Sequence, residues 1–224
     1  SANAFINSDP PEGANFVESS AIGEGANYYG LAKSQSTILG VFQVGAGESF
    51  RFDFSGLFNL AAKSDDSTVE RSSAWGKIMF DLFDTTNPLK PVFLDSFGLF
   101  GKVNTAGDND KLDFYRTASV VLDPLQTVLT SQFGGNEETA SASIGGLFQR
   151  TFNRNITITL LEGKYGRAEV TSLPPVVRPG PGVPGGQPGE AAVVPEPSEI
   201  LGAVGSLGML IFLRKKLKRQ QKPA

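Results

Sequence analysis

The sequence predicts an all-β protein whose main domain, residues 1–172, is an antiparallel β-sandwich or jelly roll. Residues 49–54 alternate strictly, so that three phenylalanines fall on one side of a strand. Clusters of Gly, Asn, Asp and Ser separate such segments, and no long stretch shows the 3.6-residue period of a helix. Many short strands joined by polar turns are typical of sandwiches, and the 17 phenylalanines supply their core.

The strands can be placed in order along the domain. Residues 155–161 alternate again and are rich in β-branched side chains, which favour strands. Polar clusters at 104–110 and 134–138 predict turns, whereas residues 56–63 suggest a helical turn. The predicted strands are 37–44, 49–54, 75–83, 91–97, 118–122, 126–133, 155–161 and 167–173.

Composition excludes several classes of chemistry. The chain has no Cys and no His, so disulfides, thiol nucleophiles, Ser-His-Asp triads and His-ligated transition metals are impossible. Any bound metal would be a hard cation held by oxygen atoms, with calcium the first candidate. Acidic residues outnumber basic ones before Pro195, which disfavours nucleic acid as a partner.

A linker follows the predicted domain over residues 173–194. Six prolines and five glycines fall between positions 173 and 189, with few large apolar side chains. Such a segment cannot bury enough apolar area to form a core. Proline extends it and glycine loosens it, so it predicts a spacer between the domain and the segment that follows.

The last thirty residues, 195–224, have three parts. Pro195, Glu196 and Pro197 precede an uncharged run over 200–213, and a basic end follows. As a helix the run would be about 21 Å long, which is short for a bilayer core of about 30 Å. The residues expected in the membrane are Ile200, Leu201, Leu207, Leu210, Ile211, Phe212 and Leu213, and the basic stop is Arg214, Lys215, Lys216, Lys218 and Arg219. Basic clusters stay on the cytoplasmic side, so the sequence predicts a short transmembrane helix with its C-terminus inside.

This order of proline motif, apolar run and basic end resembles the PEP-CTERM sorting signal of exported Gram-negative and cyanobacterial proteins. The resemblance covers about residues 194–219. It implies that Pro195, Glu196 and Pro197 are the recognition motif of an exosortase-like membrane protease, with processing near them. The basic end here is mostly Lys, where the family often has Arg. A packed amphipathic helix is the alternative, but the run lacks a polar face.

The N-terminus suggests export as well. Ala2, Asn3 and Ala4 look like the remnant of a small-residue secretory cleavage site, which predicts a signal peptide upstream. The expected location is the cell surface or extracellular matrix, with transient or stable anchoring in the inner membrane.

One loop is a candidate calcium site. Asp108, Asp110 and Asp113 place three carboxylates within six residues of a turn-rich segment. Carboxylate oxygens are calcium ligands, although the glycine and glutamate spacing of an EF-hand is absent. A solvated surface loop is the alternative interpretation.

Three aromatic residues are candidate sugar contacts. Trp75 is the chain's one tryptophan, and it could stack on a sugar or belong to the core or to a strand edge. Tyr28 and Tyr29 are neighbours, and neighbours on a strand point to opposite faces, so one of them should be exposed.

Two classes of function remain open. The first is a non-catalytic surface or matrix protein that associates with exopolysaccharide or with its own copies. The second is a secreted carbohydrate-active enzyme of glycosidase type carrying the same tail. A glycosidase needs two carboxylates about 5–10 Å apart, for which Asp81 with Asp84 and Glu137 with Glu138 are the pairs that the sequence offers. The first class is favoured, because surface display is what the family resemblance implies.

Overall fold

A computed structural model describes residues 1–8, 11–23, 27–172 and 203–212. Within these ranges the chain contains strands and turns but no helix. The strands are β1 (Ala2–Ser8), β2 (Pro11–Ala21), β3 (Tyr29–Val44), β4 (Ser49–Lys63), β5 (Glu70–Asp84), β6 (Val92–Asn104), β7 (Lys111–Arg116), β8 (Val120–Leu122), β9 (Val128–Gln132), β10 (Glu137–Thr151), β11 (Ile156–Ser172) and β12 (Ala203–Phe212). The predicted all-β class with antiparallel sheets is confirmed.

The strands form two sheets. Sheet A has the order β1-β2-β12-β4-β10-β8, and β9 also pairs with β10. Sheet B has the order β3-β11-β5-β6-β7, with a register shift between β5 and β6 at Leu82. The pairs that define both sheets are antiparallel, so each strand can bury one face and expose the other.

Phenylalanines fill the space between the sheets. On β4, Phe52 and Phe54 point inward, as the alternation of residues 49–54 predicts. The Phe52 ring lies 4.9 Å from that of Phe80 on β5, and the Phe54 ring lies 5.3 Å from that of Phe97 on β6, measured between ring centroids. These rings belong to opposite sheets, and their edge-to-face and tilted contacts hold the two sheets together.

A polar cluster lies at one side of this core. Glu162 and Lys164 on β11 are fully buried, with Oε1 and Nζ 3.2 Å apart, and Lys164 donates a hydrogen bond to the carbonyl of Asn15 on β2. Burial raises the pKa of Glu162 to about 7 and lowers that of Lys164 to about 8, while their mutual attraction opposes both shifts.

Two local predictions were wrong. Residues 56–63 form part of the continuous strand β4 rather than a helical turn, since Phe58 and Leu60 continue the inward alternation of the strand. Residues 155–161 and 167–173 are not two strands: β11 runs unbroken from Ile156 to Ser172 because it pairs along that length with both β3 and β5.

The C-terminal run differs from its predicted helix. The structure has Ala203–Phe212 as strand β12, antiparallel to β2 on one side and to β4 on the other. A short uncharged run lacks a polar face, so it suits a strand within a sheet as well as a helix in a bilayer. The remaining residues of the predicted segment, and the linker at 173–194, lie outside the described residues.

Candidate functional site

A row of five side chains crosses the whole of sheet B on its solvent side. The ladders place Lys33, Arg167, Trp75, Lys102 and Lys111 directly opposite one another on β3, β11, β5, β6 and β7. Residues that are in register share a face, so all five lie on the outer face of sheet B. We call this set the cationic row.

The alternation of each strand fixes this orientation. Ala74 and Val103, which are next to Trp75 and Lys102, are buried in the core. Successive side chains of a strand point to opposite faces, so burying these apolar residues turns Trp75 and Lys102 toward solvent. The cationic row is therefore a consequence of the core pattern.

Aromatic rings lie in the neighbouring row. Two residues along each strand, Tyr165 on β11 and Phe100 on β6 flank Lys77 on β5 in the same register. The ammonium of Lys111 lies 4.8 Å from the centroid of the Phe100 ring, which is a cation–π distance. The outer face of sheet B thus combines positive charge with exposed ring surface.

These two rows border a groove of about 790 Å³. Its lining includes Lys33, Gln35, Trp75, Lys102, Tyr165 and Arg167. The groove thus carries cations, amide and hydroxyl groups and ring faces together. It offers charge-assisted hydrogen bonds and apolar stacking to the same ligand.

Two of the cations on this face are neutralised by neighbours. Arg167 is paired with Glu169, and Lys111 Nζ lies 3.2 Å from Asp113 Oδ2. The hydrogen bond from Lys111 and the amide of Phe114 hold the pKa of Asp113 below its usual value. Lys33 and Lys102, by contrast, form no ion pair with any residue that the structure describes.

The structure separates the predicted sugar contacts into two environments. Trp75 is 38% exposed and Tyr29 is 64% exposed, and both lie on the outer face of sheet B. The Tyr28 ring instead lies against Gly23 and the core, where burial raises its pKa, and Glu70 and Asp65 add to that rise. One tyrosine of the pair is therefore exposed, in agreement with the alternation argument.

The structure does not bring the predicted calcium ligands Asp108, Asp110 and Asp113 together in one group. Asp113 is on β7 beside Lys111, whereas Asp110 lies near Glu138 on β10 and contributes to the raised pKa of that carboxyl. Asp108 is exposed in the turn before β7. Among the described residues, no three acidic side chains are grouped as metal ligands would be. Calcium binding stays a prediction from the sequence.

Neither predicted carboxylate pair shares a face. Asp81 lies on the outer face of sheet B, while Asp84 is buried, 2.7 Å from Arg154. Burial acts to raise the pKa of Asp84, but bonds from Thr86 and Arg154 hold it below its usual value.

The second pair is separated in the same way. Glu137 is exposed beside Lys63, and Glu138 is buried, where it accepts hydrogen bonds from the amides of Asn104 and Gly134. Burial raises the pKa of Glu138, and nearby Asp110 raises it further against the effect of those amides. Neither pair presents two carboxylates to one ligand.

The sorting-signal residues are only partly described. Pro195, Glu196, Pro197, Ile200, Leu201, Leu213 and the basic stop lie outside the described residues, whereas Leu207, Leu210, Ile211 and Phe212 belong to β12. In the part of the chain that is described, no helix is long and apolar enough to cross a membrane.

Sequence reasoning missed Lys33, Lys102, Tyr165 and Arg167. Each alternates with buried or half-buried residues on its strand, which predicts exposure but not proximity to the others. Only the register of five strands brings them together, and pairing between distant segments is not encoded in local periodicity.

In comparisons with known proteins, the chain matches no family model, no curated protein and no solved structure significantly.

Proposed function

We propose that this chain is an exported surface protein whose β-sandwich domain binds exopolysaccharide without catalysis. The observation that carries the proposal is the outer face of sheet B, where Trp75, Tyr165 and Tyr29 share one open surface. Ring faces on a flat sheet can stack on sugar rings, and the groove beside Trp75 adds polar groups that can contact hydroxyls.

In this proposal the tail is the sorting signal that directs the protein to the cell surface. The motif at Pro195–Pro197 and the basic stop resemble a sorting signal, so an exosortase-like protease is the proposed processing partner. The uncharged run over 200–213 is the proposed membrane helix before processing. This requires residues 203–212 to leave sheet A while the chain is anchored, since one segment cannot be both β12 and a membrane helix.

Self-association belongs to the same proposal. Strand β3 is one of the two edge strands of sheet B, and it carries exposed Leu39 and Val41. An outer strand has unpaired backbone groups that can bind a strand of another copy.

Affinity electrophoresis of the full chain tests the proposal. Gels containing exopolysaccharide purified from the producing cells should retard the protein. Trp75→Ala should weaken this retardation about fivefold, because a ring contact contributes about 1 kcal/mol. Trp75→Phe keeps a ring and should retain most of the effect.

Phe133→Ala is the matched control for these variants. Phe133 is an exposed aromatic residue that follows β9, away from the outer face of sheet B. Its removal should leave the retardation unchanged. If Trp75→Ala and Phe133→Ala migrate alike, or if the wild-type chain is not retarded, the proposed binding face is refuted.

A further inference from the structure

We propose that the outer face of sheet B selects an acidic polysaccharide, one whose sugars carry carboxylates at intervals along the chain. This inference rests on the proposed function and specifies its ligand. It is carried by the cations of the cationic row, above all Lys33 and Lys102, rather than by Trp75 and the tyrosines, so the two proposals can be tested apart.

The spacing of the two unpaired cations in the cationic row favours an extended ligand. Lys33 on β3 and Lys102 on β6 are separated by two strands, β11 and β5. Three strand spacings place their backbones about 14 Å apart. Arg167 and Trp75 fill the interval in the same row. Two ammonium groups on either side of a ring suit a polymer with separated negative charges better than a single small anion.

The balance of charge on the face disfavours a polyphosphate. Glu169 and Asp113 lie among the cations and neutralise Arg167 and Lys111. A nucleic acid carries a phosphate at every nucleotide and is bound by a dense basic surface. The carboxylates of this face would repel closely spaced phosphates, whereas a polysaccharide can place uncharged sugars opposite them.

The shape of the face disfavours a membrane surface. The cationic row borders a groove of about 790 Å³, so the ring of Trp75 lines a depression. Membrane-surface binding relies on apolar rings that project into the headgroup region. A groove of this kind accepts a chain more readily than a plane.

The decisive experiment compares one polymer in two chemical forms. The full chain is titrated with a soluble polyuronate and with the same polyuronate after carboxyl reduction, which keeps the sugar backbone and removes the charge. We expect about tenfold tighter binding to the charged form, and a loss of that advantage as salt rises from about 0.05 M to about 0.5 M.

Variants then locate the interaction, because the basic tail of the full chain also attracts polyanions. Lys33→Gln with Lys102→Gln should abolish most of the preference for the charged form and leave binding to the reduced form unchanged. Lys63→Gln with Lys90→Gln removes two cations outside the cationic row, one on β4 of sheet A and one in the connection between β5 and β6, and should have no effect. Both pairs keep the tail intact.

Each outcome decides between the two proposals. Equal binding to the charged and reduced forms, or equal effects of the two double variants, overturns the inference while the proposed function stands. Binding to neither polymer, nor to the native exopolysaccharide, overturns both. Binding only to polynucleotide or to vesicles of anionic phospholipid also overturns both, and assigns the face to that partner.

Discussion

Single residues of this protein illustrate how burial controls charge. Glu162 and Lys164 are both fully buried, yet each has its pKa moved toward neutrality. A folded carboxyl with a pKa of about 7 binds its proton more tightly than the unfolded one at 4.5. Ionisation of Glu162 therefore opposes folding, and stability falls as the pH rises between these values. Lys164 has the opposite effect at higher pH, since its lowered pKa of about 8 makes stability rise from there toward 10.5.

Lys164→Met should destabilise the protein much more at about pH 7.5 than at about pH 5. Without the ammonium, the pKa of Glu162 rises further, so at low pH a neutral carboxyl remains. Near neutral pH the carboxyl must either keep a buried charge without a partner or bind a proton that the unfolded carboxyl has lost, and breaking a buried ion pair in this way costs about 3–5 kcal/mol. Urea unfolding at the two pH values measures the difference.

The control for this prediction is Lys164→Met combined with Glu162→Gln, which removes both charges. The double variant should lose less stability than the single variant near neutral pH and show a flatter pH dependence. Equal losses for the single variant at both pH values would show that the charge of Glu162 does not determine its cost.

At the scale of strands, β8 and β10 can approach each other closely because Gly146 has no side chain. Gly146 on β10 packs where a Cβ would lie 2.8 Å from the carbonyl oxygen of Val121 on β8 and 2.6 Å from the Phe54 ring. Backbone cannot move aside as a flexible side chain can, so this position limits the distance between β8 and β10.

Gly146→Ala should lower the free energy of unfolding by about 1–3 kcal/mol, because the added methyl group forces the strands apart. Gly107→Ala is the matched control: its Cβ would meet only Asn104 Nδ2, at 3.4 Å. It should be neutral or slightly stabilising. Thermal melts of both variants provide the comparison, and similar melting temperatures would contradict the steric argument.

Strands with strong alternation were predictable, and others were not. Residues 49–54 revealed the inward side of β4, and residues 155–161 revealed the start of β11. Strand β10 was missed because its small residues, such as Ser141 and Ala142, give a weak contrast between its two faces. The outer face of sheet B was found only in part, since exposure of Trp75 is local but its row is set by pairing across the sheet.

At the scale of the whole molecule, the proposed function divides the chain into a binding domain and a C-terminal sorting signal. The domain presents its ligand face on sheet B, whereas β12 belongs to sheet A. Anchoring and processing both take residues 203–212 out of sheet A in this proposal, and the proposed ligand face on sheet B contains no part of that segment.

Intact-mass analysis of the protein recovered from the producing cell's surface tests this division. Sorting and processing predict a C-terminus close to Pro195–Pro197. A control in which Pro195 and Pro197 are both replaced by Ala should retain the unprocessed mass, because the recognition motif is gone. A wild-type mass that includes Lys222, Pro223 and Ala224 would show a retained anchor and contradict processing.

Strand β12 joins the two halves of sheet A, because both halves pair with it. It is the element between β2 and β4, so its departure would separate the β1–β2 hairpin from β4 and its neighbours and create two bare edges. Both edges pair with residues 203–212 in antiparallel ladders, so each has the length to accept the same segment of another molecule. When residues 203–212 are paired with β2 and β4, they complete the sheet of their own molecule. When they leave, the same residues of a neighbouring copy can take their place and join the two molecules.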